Sequence, residues 1–129
     1  MRVLVTGANG FIGRALVAEL ACNEQFDVSA ASRSPIAAGR RLTWVNSSDF
    51  GPDFDWRPSL DGVDAVVHLA GRAHVLRERS SNPEREFMAV NRDATQQLAE
   101  QSVRAGVRNF VLVSTIGVHG DVSPAERPI

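Results

Sequence analysis

The sequence predicts an α/β fold, a doubly wound parallel sheet with helices on both faces. Two observations carry this prediction. Short apolar runs alternate with longer stretches of helical periodicity along the 129 residues. The strongest apolar runs are continuous, which is typical of parallel strands that are buried on both faces. Right-handed crossovers give the doubly wound arrangement, whose usual strand order is 3-2-1-4-5.

The first half of the chain contains three apolar runs and one helical segment. RVLVT at residues 2–6 is a continuous run that predicts a buried first strand. Apolar side chains at helical spacing predict a helix over residues 11–22. FDVSAAS at 26–32 and LTWV at 42–45 predict the second and third strands, and Pro35 interrupts the chain between them.

The second half predicts two further strands and one long helix. Residues 46–60 contain two prolines and a glycine, so we expect mostly loop. DAVVHLAG at 64–71 predicts the fourth strand, and NFVLVS at 109–114 predicts the fifth. Apolar residues that fall on one face predict a long helix over 84–105 between these two strands.

The ends of the long helix have their own signals. Asn82 is expected to cap its N-terminus, with Pro83 at the first helical position. Gly106 is expected to cap its C-terminus. The polar residues 72–83 before it predict a loop or a broken helix.

Composition and charge exclude several classes of function. The chain has 14 basic and 15 acidic residues and a formal net charge of −1, so we expect neither nucleic acid nor a membrane surface as a partner. Residues 1–129 form one domain of ordinary size, and 43% of them are hydrophobic. The single cysteine, Cys22, fits a reducing compartment, so a cytoplasmic location is expected.

Three evenly spaced glycines follow the first strand in VTGANGFIGRAL at residues 5–16. A strand, a glycine turn and a helix N-terminus form an anion site, because the first helical N–H groups are unpaired and carry partial positive charge. We expect Gly7 to permit the turn, Gly10 to let the backbone approach a pyrophosphate, and Gly13 to let the helix pack tightly on the sheet. Ala8 replaces the second glycine of the common G-x-G-x-x-G pattern. The alternative is a plain turn that uses glycine for geometry alone.

The end of the second strand is where the adenosine ribose of a dinucleotide is recognised. NAD favours an acidic residue there, but this chain has Ser32-Arg33-Ser34. A guanidinium binds a phosphate bidentately and a hydroxyl can support it, so Arg33 and Ser32 predict NADP rather than NAD. The alternative is that Arg33 is only a solvated loop residue.

Five segments in chain order carry a family resemblance: TGANGFIG (6–13), SDFGPDFDW (48–56), DGVDAVVHLAG (61–71), AVNRDAT (89–95) and FVLVSTIGVHG (110–120). Together they resemble the extended short-chain dehydrogenase/reductase family of nucleotide-sugar epimerases and dehydratases. The resemblance implies a Rossmann-like, NAD(P)-binding domain of an enzyme that acts on a nucleotide sugar. The stretches HLAGRAHV and GPDFDW are most similar to enzymes of surface-polysaccharide synthesis that act on UDP-N-acetylhexosamines.

The resemblance assigns cofactor-binding roles to eleven residues in three groups. They are Gly7, Asn9, Gly10, Phe11, Ile12 and Gly13 at the pyrophosphate, Asp49 and Phe50 at the adenine, and Leu69, Ala70 and Gly71 along the ribose and phosphates. Asp49 has an alternative role as a helix cap or turn residue. Asn91 is expected to tie its helix to the strand below, and His68 is expected to be a core histidine. His74 and His119 are isolated, so no metal site is expected.

Ser114 and Thr115 are expected at the C-terminal end of the fifth strand, where open α/β sheets bind ligands. This position predicts that Ser114 contacts the cofactor. The resemblance matches Thr115 with the catalytic Ser/Thr of the family, whose hydroxyl holds the reacting oxygen of the substrate. Dehydratases carry Asp-Glu next, whereas this chain has Ile116-Gly117, which favours an epimerase or a reductase. The alternative is that both are ordinary strand-end residues.

The chemistry of the family also needs a Tyr-x-x-x-Lys pair, and this chain contains no tyrosine. An apolar fifth strand at the sheet edge would also need a cover. We therefore expect residues 1–129 to be the N-terminal part of a longer enzyme, inactive alone, whose parent forms a homodimer through the long helix. The alternative, from a different class, is a catalytically dead protein that binds NADP as a sensor.

Overall fold

The structure, a computed structural model, describes residues 1–48, 50–72 and 82–115. Helical segments separate successive strands along these residues, except between the second and third strands, which are joined without a helix. The strands are β1 (Arg2–Thr6), β2 (Asp27–Ser32), β3 (Leu42–Asn46), β4 (Ala65–His68) and β5 (Asn109–Leu112). The helices are α1 (Phe11–Cys22), α2 (Arg57–Leu60), α3 (Pro83–Met88) and α4 (Ala94–Arg104), and a π-helical segment, Ala89–Asp93, joins the last two.

The five strands form one parallel sheet of order β3-β2-β1-β4-β5, which confirms the predicted order. Its register aligns the strand ends. Thr6 pairs with both Ala31 and His68, and His68 pairs with Leu112. The residues that follow these strands therefore lie side by side along one edge, which we call the carboxyl edge of the sheet.

Helices cover both faces of the sheet. Neighbouring residues of β1 point to opposite sides of the sheet, so each side contributes to a separate core cluster. Val3 and Val5 pack with Val17 of α1 in one core cluster. Leu4 packs with Leu98 of α4 in the other cluster, which also contains Trp56 and Leu60. This two-sided core is the physical reason for the continuous apolar runs, and it confirms the predicted doubly wound α/β architecture.

Two strands end earlier than the sequence predicts. The expected fourth strand extends to residue 71, but β4 ends at His68 because the hydroxyl of Thr6 accepts the N–H groups of Leu69 and Ala70. The chain thereby turns away from the sheet. The N–H of Val113 still donates to the carbonyl of His68 at 3.1 Å. Because β4 ends at His68, the residues after Val113 have no partner in β4, and β5 ends as well.

Two further segments agree with the predictions and add detail to them. Residues 46–60, expected to be mostly loop, contain the short helix α2 at their end. Residues 83–104 are helical without a break, as predicted for 84–105, and Ala89–Asp93 within them are π-helical. Both caps of the long helix are confirmed, because the side chain of Asn82 accepts the N–H of Arg85 at 3.1 Å and Gly106 has a φ of +79°.

The exposed side of β5 agrees with its position at the sheet edge. Val111, Leu112 and Val113 keep 49%, 53% and 44% of their surface accessible. The backbone groups on the outer side of an edge strand are free to pair with another strand. Within the parts of the chain that the structure describes, no helix is both long and apolar enough to cross a membrane.

Candidate functional site

The glycine turn lies between the end of β1 and the start of α1, on the carboxyl edge. Gly7 has a φ of +66°, a left-handed conformation that favours glycine. A Cβ atom at Gly7 would lie 2.7 Å from the nitrogen of Ala70 and 2.8 Å from the carbonyl carbon of Leu69. The turn therefore touches the backbone that follows β4, and the expected role of Gly7 in the turn is confirmed.

Gly13 has a different neighbour from the one that the sequence suggests. We expect it to let α1 pack on the sheet. In the structure, a Cβ at Gly13 would overlap the carbonyl oxygen of Gly7 and lie 2.9 Å from the Cα of Ala8. The first turn of α1 is thus packed on the glycine turn itself, and a side chain here would push the two apart.

The N-terminus of α1 is open in the way that an anion site requires. Gly10 precedes the helix in extended conformation, and no side chain of the described residues caps it. No acidic residue lies in the first turn to neutralise the helix dipole. Phe11 is 97% exposed and Ile12 56%, so these side chains leave the helix start accessible.

Arg14 is a site residue that the sequence reasoning missed. Its Nε atom donates to the carbonyl of Asn9 at 2.9 Å, which holds a guanidinium against the turn. This positive charge adds to that of the helix N-terminus. The signal in the sequence is a basic residue directly after the third glycine of the motif.

A buried chain of hydrogen bonds lies beneath the carboxyl edge. The hydroxyl of Thr6 is 2.6 Å from Nδ1 of His68, and Nε2 of His68 is 2.9 Å from the hydroxyl of Thr95. The Thr6 oxygen also accepts the N–H groups of Leu69 and Ala70, at 3.3 and 3.2 Å. Because this oxygen already accepts twice, its own proton is best donated to Nδ1, which assigns the Nε2–H tautomer to His68.

His68 is a satisfied core histidine, as expected. Burial lowers the pKa of its imidazole from 6.5 to about 4, so the ring is neutral at neutral pH. Its ring also packs edge-to-face on Phe50 with centroids 5.9 Å apart. Thr6 and His68 thus join β1 to β4, and the bond to Thr95 joins both strands to α4.

Asn91 ties its helix to the segment after β4, which confirms its expected structural role. Its side-chain oxygen accepts the N–H of Arg72 at 2.7 Å, and its side-chain nitrogen donates to the carbonyl of Arg72 at 2.9 Å. Asn91 lies within the π-helical segment, and Thr95 lies one residue after the start of α4. Together they hold both ends of residues 68–72 against the π-helical segment and α4.

The end of β2 is more constrained than the sequence indicates. The hydroxyl of Ser32 donates to the carbonyl of Ser34 at 2.6 Å and accepts the indole N–H of Trp44 at 3.1 Å. Ser32 is 2% exposed, so its only hydroxyl proton is used within the turn. This geometry does not support the expectation that Ser32 donates to a phosphate. Arg33 is exposed and makes no hydrogen bond or ion pair to the residues that the structure describes.

The remaining predicted site residues fall into two sets. Ser114 and Thr115 are exposed and come directly after Val113, so the structure brings them to the same edge as the glycine turn and residues 69–71. Phe50 is half-buried against Trp56, with ring centroids 5.9 Å apart. Asp49, His74 and His119 lie outside the described residues. Among the residues with described placement, no cluster of three potential metal ligands occurs.

The carboxyl edge fits the pyrophosphate of a dinucleotide. All three of its glycines lie where a Cβ would meet backbone atoms, most closely at Gly7 and Gly13 and at 3.1 Å from the Gly7 carbonyl oxygen at Gly10. The helix start beside them is uncapped and exposed. Backbone N–H groups and a helix dipole directed at one point are the donors that a phosphate requires.

Comparison with known proteins agrees with this geometry. The model of the NAD-dependent epimerase/dehydratase family matches residues 3–129. The chain is 32% identical over 119 residues to UDP-glucose 4-epimerase of Vibrio cholerae, covering 92% of this chain and 36% of that protein. It is 32% identical over 145 residues to dTDP-glucose 4,6-dehydratase of Streptomyces antibioticus, covering 99% of this chain and 41% of that protein.

Solved structures show the same architecture. MoeE5 in complex with UDP-glucose and NAD superposes with a TM-score of 0.78 at 35% identity, covering 95% of this chain and 39% of that one. UDP-glucuronic acid 4-epimerase from Bacillus cereus, in complex with UDP-glucuronic acid and NAD, gives a TM-score of 0.79 at 26% identity, covering 97% and 43%. The chain thus spans roughly two fifths of the length of these relatives. The Rossmann-like sheet, the glycine turn and the family match together show that this chain belongs to the NAD-dependent epimerase/dehydratase family.

Proposed function

We propose that this chain is the nicotinamide-dinucleotide-binding part of a nucleotide-sugar epimerase or 4-reductase/dehydrogenase. The observation that carries the proposal is the contact between the glycine turn and the segment after β4. There Gly7 meets the backbone of Leu69 and Ala70 with no room for a side chain. Two relatives of known structure are complexed with NAD and a UDP-sugar, which supports the same ligand class here.

The residues of the carboxyl edge have distinct proposed roles. The exposed N-terminus of α1 binds the pyrophosphate, through the N–H groups of Phe11, Ile12 and Gly13. Residues 69–71 line the ribose and phosphates of the dinucleotide. Hydrogen bonds from this segment and the residue after it to Thr6 and Asn91 fix its backbone. When bound, the dinucleotide supplies or accepts the hydride of the reaction.

Thr115 is the proposed catalytic residue, and Ser114 is proposed to contact the cofactor. A hydroxyl at the end of β5 can hold the reacting oxygen of the sugar and donate a hydrogen bond to it. The chain has no tyrosine to exchange the proton, so we propose that the 129 residues alone do not turn over substrate.

The substrate that we propose is a UDP-N-acetyl-sugar. The uridine diphosphate part is shared with the ligands of the two solved relatives. The N-acetylhexosamine part rests on the resemblance carried by HLAGRAHV and GPDFDW. We further propose that the parent enzyme is a cytoplasmic homodimer that pairs through the helix of α3 and α4.

Titration calorimetry of the 129-residue chain with NAD and with NADP tests the proposal directly. We expect saturable binding of at least one dinucleotide, because the turn and the open helix are both present. We also expect no change in nicotinamide absorbance when a UDP-N-acetyl-sugar is added. Absence of binding for both dinucleotides would contradict the proposed site, and turnover by this chain would contradict the proposed need for a tyrosine.

Replacement of Arg33 by aspartate tests the proposed preference for NADP over NAD. A guanidinium bonded to the 2′-phosphate contributes about 1.5–3 kcal/mol, so NADP affinity should fall about 10- to 100-fold. NAD affinity should hold or improve, since an acidic residue suits the free ribose hydroxyls. Arg40→Asp is the matched control. Arg40 is also exposed, but it precedes β3 and so lies at the amino ends of the strands, away from the carboxyl edge. An unchanged NADP:NAD affinity ratio in Arg33→Asp would remove Arg33 from the site.

The second candidate function is a catalytically dead protein that binds NADP as a sensor. The absence of tyrosine from the chain is the observation that favours it. The coding sequence after residue 129 separates the two candidates. A Tyr-x-x-x-Lys motif there supports the enzyme, and a stop codon directly after Ile129 supports the sensor.

A further inference from the structure

The turn at the end of β2 is hydrogen-bonded to a side chain of the neighbouring strand, β3. Trp44 of β3 is 12 residues from Ser32, and its indole Nε1–H donates to the Ser32 hydroxyl at 3.1 Å. That hydroxyl in turn donates to the Ser34 carbonyl at 2.6 Å. The backbone carbonyl of Ser32 accepts the N–H of Ser47 at 3.1 Å, which adds a second tie to the chain after β3.

Arg33 lies between the two residues joined by this bond. Ser32 is buried, and Arg33 and Ser34 are exposed, so only the middle and end of the turn face solvent. A long side chain on an unrestrained turn loses conformational entropy when it binds a ligand. A turn fixed at Ser32 and at the Ser34 carbonyl reduces that loss and limits the directions from which the guanidinium can extend.

We propose that Trp44, acting through the hydroxyl of Ser32, is a positioning residue that sets how well the site discriminates dinucleotides with a 2′-phosphate from those without one. The inference rests on the proposed binding of a nicotinamide dinucleotide at the carboxyl edge. The indole N–H of Trp44 bonds to the turn that carries Arg33. The proposed effect therefore acts on the group that Arg33 contacts.

Trp44→Phe removes the indole N–H and keeps an aromatic ring, and calorimetry with NAD and NADP measures its effect. One hydrogen bond is worth a factor of about five, so the NADP:NAD affinity ratio should fall about fivefold. NAD affinity should change by less than about twofold, because NAD lacks the 2′-phosphate that Arg33 is proposed to bind. Ser32→Ala, which removes the middle of the same chain, should lower the ratio to a similar extent.

Two further variants separate positioning from a general structural effect. Thr43 lies on the same strand, is exposed, and points to the opposite face from Trp44, so Thr43→Val should leave the ratio unchanged. In an Arg33→Ala background, Trp44→Phe should no longer change the ratio, because the residue through which it acts is gone.

Three results would overturn the inference. One is a ratio in both Trp44→Phe and Ser32→Ala that matches the wild-type value. Another is an equal loss of NAD and NADP affinity, which indicates damage to the fold. The third is an effect of Trp44→Phe that persists without Arg33, which indicates direct contact between ring and ligand. A wild-type chain that binds neither dinucleotide would contradict the proposed function, and the inference with it.

Discussion

Replacement of Gly7 by alanine is expected to abolish dinucleotide binding and to lower the free energy of unfolding by about 2–4 kcal/mol. Two causes act together. The positive φ of +66° strains any residue with a Cβ, and that Cβ would lie within 3 Å of the backbone of Leu69 and Ala70. The glycine turn and the segment after β4 must then move apart, and both are parts of the proposed site.

Gly106→Ala is the matched control for this variant. Gly106 also has a positive φ, of +79°, but a Cβ at this position would have no described neighbour within 4 Å. Its replacement should cost only the backbone strain, about 1–2 kcal/mol, and leave dinucleotide affinity unchanged. Denaturant unfolding and calorimetry on the two variants measure both quantities. Equal dinucleotide affinity in Gly7→Ala and Gly106→Ala would show that the contact between the two segments does not shape the site.

Acid is expected to destabilise the protein through His68. The pKa of His68 is about 4 in the folded chain and about 6.5 when unfolded, so between these values only the unfolded state takes up the proton. The neutral imidazole therefore contributes stability that is complete above pH 6.5 and is lost as the pH falls to about 4. The loss from this one group is about 3 kcal/mol.

Urea unfolding at a series of pH values, with the wild-type chain and His68→Gln, measures this contribution. The variant loses the titrating group, so its free energy of unfolding should fall less steeply between pH 6.5 and 4. Carboxylates such as Asp64, whose pKa is lowered mainly by a hydrogen bond from the N–H of Arg2, titrate in both proteins and cancel in the difference. Parallel pH profiles for the two proteins would mean that His68 is protonated equally in the folded and unfolded states.

The predictions that hold best depend on local patterns. The glycine turn is a local pattern: three glycines, Gly7, Gly10 and Gly13, lie within seven residues between an apolar run and a segment of helical periodicity. The strand, the turn and the helix could therefore be predicted from one stretch of sequence. The caps Asn82 and Gly106 are local signals of the same kind. The strand order is the usual one of dinucleotide-binding doubly wound sheets, so it could be predicted once that arrangement was inferred.

The features that were not predicted share a different cause. The fourth strand ends early because Thr6, 63 and 64 residues away, accepts the N–H groups of Leu69 and Ala70. The π-helical segment inside the long helix contains Asn91, and the side chain of Asn91 holds the backbone of Arg72, 19 residues away. Neither partner could be identified from the neighbouring sequence.

The sequence by itself determined the α/β architecture, the glycine turn and the residues that lie at the carboxyl edge. Only the tertiary structure decided what those residues do to one another: that Gly7 touches the backbone after β4, that the Thr6 hydroxyl bonds to His68, and that the Ser32 hydroxyl accepts the indole N–H of Trp44. The physical reason is that spacing and periodicity specify how a segment folds locally. A hydrogen bond between strands depends on their register, which is settled only when the sheet assembles.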